Sequence, residues 1–210
     1  MKIECMALGD FETNCYVLRT SAQGKECVII DPGFSAEPLL DYLHRHSLHP
    51  CRVLLTHGHC DHIAGLELLH QKFNPLPVSI SPEDAPMLTD SQKNLSSMMG
   101  IDLAVPAADA VVRPGETIPW GELAFTVLAT PGHTPGGVSF YCAREGAVFT
   151  GDALFAGSIG RYDFPGSNGE ILLRGIRSEL LTLPETTRVY PGHGPETTIG
   201  REKRTNPYLV

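Results

Sequence analysis

The run Thr56-His57-Gly58-His59-Cys60-Asp61-His62 places three imidazoles and a carboxylate within six positions, 57 to 62. These are the donors that zinc, iron and manganese accept. In an extended turn, residues two apart point to the same side, so His57 and His59 can serve one metal ion. Asp61 and His62 open a helix, point differently, and can serve a second ion a few ångströms away. Further donors stand in three Gly-bearing turns: His133 in PGHTPGG, Asp152 in TGDALF and His193 in YPGHGP. The inventory is five imidazoles and two carboxylates, with no cysteine needed. With Asp152 between two divalent ions, two carboxylates and a hydroxide leave the cluster net positive, which favours a developing oxyanion or thiolate. His133, Asp152 and His193 are ambiguous singly, but Gly132, Gly151 and Gly192 beside them let the backbone come close to an ion without a Cβ in the way. His44, His46, His49 and His70 occupy polar helical or turn positions and read as ordinary surface or packed side chains.

Each donor follows a predicted strand, and loops at the ends of strands on a rigid sheet are where functional groups are mounted. Apolar runs predict strands over Cys15 to Leu18 and Cys27 to Ile30, the second closed by the turn Asp31-Pro32-Gly33. Leu39, Leu40 and Leu43 share one face of a helix from Ala36 to His46, and a short strand at Val53 to Leu55 leads into the histidine run. A helix from about Asp61 to Phe73 presents Ile63, Leu66, Leu68 and Leu69. Residues Ser81 to Gly100 read as one or two weaker helices, with Met98 and Met99 assigned to the core. The second half is strand-rich: Leu123 to Ala129, Val138 to Tyr141 and Ala147 to Thr150, then a helix near Glu170 to Leu181 and a strand at Arg188 to Tyr190 before His193. A polar helix or coil from about Glu196 to Arg204 follows. Without a fixed repeat or low-complexity linker, the pattern predicts one compact α/β domain over residues 1–210.

Composition narrows the functional classes. The 210 residues, 42% hydrophobic and 19% charged, suit one large globular domain. The 21 Gly and 17 Pro predict many short elements joined by tight turns and exclude a coiled coil or solenoid. With 16 basic against 24 acidic residues, net charge -8 and no dense Lys/Arg cluster, the counterion-release drive for nucleic-acid binding is missing. No run of about 18 apolar residues exists that could span a membrane, so neither nucleic acid nor membrane is an expected partner, and a cytoplasmic location is expected. The six cysteines are irregularly spaced with no C-x-x-C pair, which predicts buried reduced thiols rather than a disulfide framework.

The histidine-run segment THGHCDHIAG resembles the T-H-x-H-x-D-H-x-x-G signature of the metallo-β-lactamase superfamily, and His133, Asp152 and His193 fall in the order of that superfamily's remaining ligands. The resemblance runs from about Asn14 to Pro207. It implies an αβ/βα four-layer sandwich forming a single domain, with a binuclear site at one edge of two packed sheets. By the same carry-over His57, His59 and His133 bind the first metal, Asp61, His62 and His193 the second, and Asp152 bridges them. A bridging Asp152 points away from the β-lactamases proper, and the acidic surface away from RNA-processing members. FETNCYVL, IIDPG, PGHTPGG, FTGDALF and IGRYDFPG are similar to segments of glyoxalase II-like proteins, the hydroxyacylglutathione hydrolases, here in a form without their C-terminal helical extension. Glyoxalase II proper carries a Lys and an aromatic residue where Arg161 and Asp163 stand, which leaves glutathione recognition open.

The resemblance implies two divalent ions, zinc first and iron or manganese as alternatives, and a small-molecule thioester substrate such as an acyl-glutathione. In the expected reaction a metal-held hydroxide attacks the carbonyl carbon, with Asp61 and Asp152 as the catalytic carboxylates. Arg161 and Tyr162 are candidate substrate contacts; Arg161 can pair with a substrate carboxylate or, equally, with Asp163. Asp31 and Thr56 each close a strand near the expected site and are candidates for orienting the imidazoles, although ordinary turn capping is the commoner role of such residues. Two alternatives stay open. The Gly160-Arg161-Tyr162-Asp163-Phe164 stretch also looks like that of persulfide dioxygenases, which would use one iron on His57, His133 and Asp152. A metal-binding module without turnover is the other.

Overall fold

Two antiparallel strands open the chain. β1 (Lys2–Leu8) puts Lys2 and Glu4 among apolar residues and lies at a sheet edge, whereas β2 (Thr13–Arg19) is buried at every position, as a central strand must be. β3 (Glu26–Ile30), β4 (His49–Leu54), β5 (Val78–Ile80) and β6 (Ala110–Val111) extend this sheet in sequence order, with β1–β2 and β2–β3 antiparallel and the later pairs parallel. Helix α1 (Glu37–Arg45), opened by Pro38, buries Leu39 and Leu43. These pack with Val17, Ile29, Val53 and Leu66 in one apolar cluster.

The helix expected from Asp61 to Phe73 is two helices, α2 (Cys60–Ile63) and α3 (Leu66–Lys72). The break has a local cause at Gly65. Its N–H goes to the carbonyl of Pro32 at 2.9 Å instead of back along the helix, and a Cβ there would stand 2.8 Å from both Gly33 O and Ala36 Cβ. Between residues 81 and 100 the weaker helices reduce to two 3₁₀ turns, Ala85–Met87 and Ser96–Met99. A buried amide organises them. Asn94 Nδ2 donates to the carbonyls of Met87 (3.0 Å) and Leu103 (2.9 Å), and its Oδ1 accepts from Ser96 N (3.0 Å). Polar bonding of this kind leaves no 3.6-residue apolar period. Met98 and Met99, assigned to the core, are exposed at 67% and 38%.

The second half builds a six-stranded sheet in the order β14-β13-β10-β9-β8-β7. Its strands are β7 (Thr117–Trp120), β8 (Leu123–Ala129), β9 (Val138–Cys142), β10 (Ala147–Gly151), β13 (Arg188–Pro191) and β14 (Thr197–Thr198), all antiparallel except β10–β13. A separate two-residue hairpin, β11 (Leu154–Phe155) and β12 (Ser158–Ile159), leaves the end of β10. Helix α4 (Gly169–Gly175), capped by Asn168, continues into a π-helical stretch, Ile176–Leu180, and α5 (Ile199–Thr205) follows β14. Leu172, Ile176, Leu180, Val189 and Ile199 share one apolar cluster.

The computed structural model describes all of residues 1–210, and its contacts fall into two compact units, Met1–Val111 and Val112–Val210. No helix is long and apolar enough to cross a membrane. The cysteines form no disulfide; Cys15, Cys27, Cys60 and Cys142 are buried, but Cys51 is partly exposed and Cys5, on the edge strand, is exposed, against the expectation of six buried thiols.

Candidate metal centre

In the first unit two of the donors, His57 and His62, are oriented from one buried carboxylate. Asp31, just past β3 and 1% exposed, accepts Thr56 N at Oδ1 (2.8 Å) and both Thr56 Oγ1 (2.5 Å) and His62 Nδ1 (2.9 Å) at Oδ2. A carboxylate only accepts, so Nδ1 of His62 carries the proton and its Nε2 presents a lone pair. The Thr56 hydroxyl spends its one proton on Asp31, so towards His57 Nδ1, 3.1 Å away, it can only accept. His57 is therefore also protonated at Nδ1. One carboxylate thus fixes two tautomers, the arrangement that orients metal-ligating histidines. The His57 ring lies 4.9 Å from that of His59 and 4.1 Å from that of His62, centroid to centroid. Asp61 Oδ2 accepts from Thr13 Oγ1 at 3.1 Å and stands 3.5 Å from His62 Nε2.

In the second unit the donors sit after β8, β10 and β13. Asp152 Oδ2 stands 3.4 Å from His133 Nε2 and 3.6 Å from His193 Nε2. His133 Nδ1 donates to the carbonyl of Arg161 at 2.7 Å, which fixes its tautomer as Asp31 does for His62. Gly132, at φ 125°, brings this turn against α4 so closely that a Cβ would run into the backbone of Leu172.

These spacings test whether divalent ions suit the donors. Ligand atoms about 2.1 Å from a tetrahedral ion lie roughly 3.4 Å from one another. The carboxylate-to-imidazole distances of 3.4, 3.5 and 3.6 Å have that spacing, longer than a good hydrogen bond. Asp61 with His62, and Asp152 with His133 and His193, fit the chemistry of divalent-cation ligands. Asp31, His57 and His62 also lie close enough to form a ligand trio. Since both Asp31 oxygens already accept hydrogen bonds, we read Asp31 as orienting the imidazoles instead.

Of the two pairings open to the Arg161 side chain, the structure shows the one with Asp163. The guanidinium is paired in parallel with Asp163 (Nε–Oδ1 3.0 Å, Nη2–Oδ2 2.9 Å) and lies 4.2 Å over the Phe164 ring. The hydrogen bond from Arg161 holds the Asp163 carboxyl below its usual range. It is the Arg161 carbonyl that touches a donor. Tyr162 is exposed beside an open groove of about 600 Å³ lined by Asn168, Gly169, Glu170 and Leu173. Sequence reasoning missed Thr13, although it belongs to the TNCYVL segment, and missed the Arg161 carbonyl, which no side-chain pattern encodes.

A model of the metallo-β-lactamase superfamily matches residues 8–193. The chain belongs to that superfamily. A Bacillus subtilis (strain 168) relative, "Probable metallo-hydrolase YqgX", is 39% identical over 210 residues, covering 100% of this chain and 98% of its own. "Hydroxyacylglutathione hydrolase GloC" of Haemophilus influenzae is 37% identical over 215 residues, with 100% and 98% covered. Among solved structures, BLEG-1, described as a B3 metallo-β-lactamase, is 40% identical with TM-score 0.95 over 100% of both chains. TTHA1623 in a di-iron-bound form is 40% identical with TM-score 0.83, covering 98% of this chain and 100% of its own. The superfamily's α/β fold is this chain's fold, as the resemblance implied, and the coarse assignment that goes with it is a metal-binding hydrolase.

Proposed function

We propose that this member of the metallo-β-lactamase superfamily hydrolyses a small thioester of the acyl-glutathione type. The observation that carries the substrate class is the full-length similarity to a protein named hydroxyacylglutathione hydrolase. In this reading His57, His59, Asp61, His62, His133, Asp152 and His193 hold two divalent ions, zinc first. The tautomers fixed by Asp31, Thr56 and the Arg161 carbonyl support it, as does the di-iron form of a relative. Two such ions, when bound, supply Lewis acidity for the thioester carbonyl and a hydroxide source near neutral pH.

The chain's own groups do the rest. Asp31 keeps the Nε2 atoms of His57 and His62 unprotonated, and Thr13 holds one oxygen of Asp61 so that the other can orient an attacking water. A thiolate leaves with little help because its conjugate acid has a pKa near about 8.5, so no side chain need deliver a proton to sulfur. Tyr162 and the groove beside Asn168 supply a surface for the substrate, with Arg161 available to a substrate carboxylate if Asp163 releases it. Six cysteines outside any disulfide support the expected cytoplasmic setting.

The similarity to BLEG-1 favours a second reading, β-lactam hydrolysis. One panel separates the readings: zinc-loaded protein, kept anaerobic, is offered hydroxyacyl- and acyl-glutathiones, acyl-coenzyme A thioesters and β-lactams. The expected result is stoichiometric thiol release from a glutathione thioester. Ring opening of β-lactams without thioester turnover transfers the assignment to the second reading. A separate aerobic assay offers a persulfide to iron-loaded protein: oxygen uptake there transfers the assignment to a dioxygenase, and no turnover in either assay leaves a binding module.

A further inference from the structure

The hairpin β11–β12 lies among the donors of the second unit. Asp152 precedes it, and Arg161, whose carbonyl accepts from His133 Nδ1 at 2.7 Å, follows it. Phe155 on β11 sets its ring edge against His193, centroids 6.2 Å apart. Gly160, between hairpin and Arg161, is packed so closely that a Cβ would overlap the Asp152 carbonyl oxygen and stand 3.3 Å from His133 Nδ1. The hairpin and its flanks therefore touch or adjoin all three donors.

Its tip is held from α5. Glu202 is fully buried, and its Oε2 accepts from Gly157 N at the hairpin turn (2.9 Å) and from Asn206 Nδ2 (2.8 Å), while Oε1 accepts from Thr197 Oγ1 (2.6 Å). Asn206, also fully buried, donates to the carbonyl of Ser158, the next residue of the hairpin, at 3.0 Å. A carboxylate is tolerated without water only when donors satisfy it, and then it fixes direction as well as contact. Apolar packing alone would hold α5 in place without setting the height of the hairpin.

We propose that Glu202, seconded by Asn206, is a positioning residue for the metal centre, acting through the hairpin on Asp152, His133 and His193. The proposal rests on reading those three as metal donors. Its test compares wild type, Glu202→Gln and Asn206→Ala, with Arg204→Ala as control, since Arg204 lies on the same helix in an exposed ion pair with Glu185. Zinc affinity is read by competition with a chromophoric chelator, and donor geometry from the visible spectrum of the Co²⁺-substituted protein. Outer partners of metal ligands typically contribute about 10- to 100-fold in affinity. Glu202→Gln is expected to weaken zinc binding at least tenfold and change the cobalt spectrum, Asn206→Ala to do the same to a smaller degree, and Arg204→Ala to change neither.

Folded Glu202→Gln and Asn206→Ala proteins with zinc affinity within twofold of wild type and an unchanged cobalt spectrum overturn the proposal, leaving the network a role in the fold alone. Should Glu202→Gln not fold, Asn206→Ala decides by the same criteria. A wild type that holds no zinc refutes the metal reading of the donors and this inference with it; a wild type that binds beside variants that bind equally well refutes only the positioning role.

Discussion

Asp31 sits at φ 51°, a left-handed conformation that Asn tolerates as well as Asp. Asp31→Asn therefore keeps the backbone and replaces one of two accepting oxygens with an NH₂ that can only donate. Three donors, Thr56 N, Thr56 Oγ1 and His62 Nδ1, then compete for a single oxygen. Either His62 turns or its tautomer changes, and His57 loses the hydroxyl that fixes its own. Zinc affinity is expected to fall about 10- to 100-fold; chelator competition giving a value within threefold of wild type contradicts the orienting role. Thr13→Val is a milder probe of nearly the same volume. It removes the donor to Asp61 Oδ2, a hydrogen bond to a charged acceptor worth about 1.5–3 kcal/mol. If Asp61 orients the attacking water, kcat on the thioester falls at least about tenfold while KM changes little; an unchanged kcat removes Asp61 from that role.

At the scale of elements, Gly160 ties the hairpin to the donors. Gly160→Ala forces a Cβ onto the Asp152 carbonyl, and the backbone must move since no flexible side chain can yield. The variant is expected to lose more than about 2 kcal/mol in denaturant unfolding, in the range of severe overpacking. A loss under about 0.5 kcal/mol would mean that the hairpin is free to shift. Nothing in the sequence pattern announced this hairpin. Its strands are two residues long and carry no periodicity, yet the longer strands β2, β3, β8, β9 and β10 were readable from their apolar runs. The histidine run, and the turns bearing His133, Asp152 and His193, were equally readable, because donor type and flanking glycine are local properties. What holds the donors was legible only in part: Asp31 and Thr56 stood out as strand-end residues able to orient imidazoles, but nothing in the pattern pairs Asp31 with His62, 31 positions away, and Arg161 acts through its carbonyl. The break at Gly65 was hidden for the same reason, since Pro32 takes its N–H from outside the helix.

For the molecule as a whole, burial sorts the thiols, and the proposed metal ions are expected to add to its stability. Burial pushes the Cys27 thiol up to about 12 and raises that of Cys15 well above its ordinary value, so neither ionises near pH 8. A disulfide reagent at that pH is expected to modify Cys5 first, Cys51 more slowly, and Cys15, Cys27 and Cys142 only on unfolding, as peptide mapping of the labelled protein would show; early labelling of Cys27 contradicts the buried β3. Chelation probes the other property. Ions that bind only the native chain stabilise it by about 4 kcal/mol each at a thousandfold excess over Kd. A chain of this size shifts in Tm by about 2–4 °C per kcal/mol, so stripping the metal should lower Tm by on the order of 10 °C or more, and adding back zinc should restore it. Restoration follows from the proposal because the tautomers that receive the ion are set by protein groups, Asp31 and the Arg161 carbonyl, which outlast its removal. A Tm that moves by less than about 2 °C on complete metal removal, verified by elemental analysis, would mean that the donors do not hold an ion tightly enough to support hydrolysis.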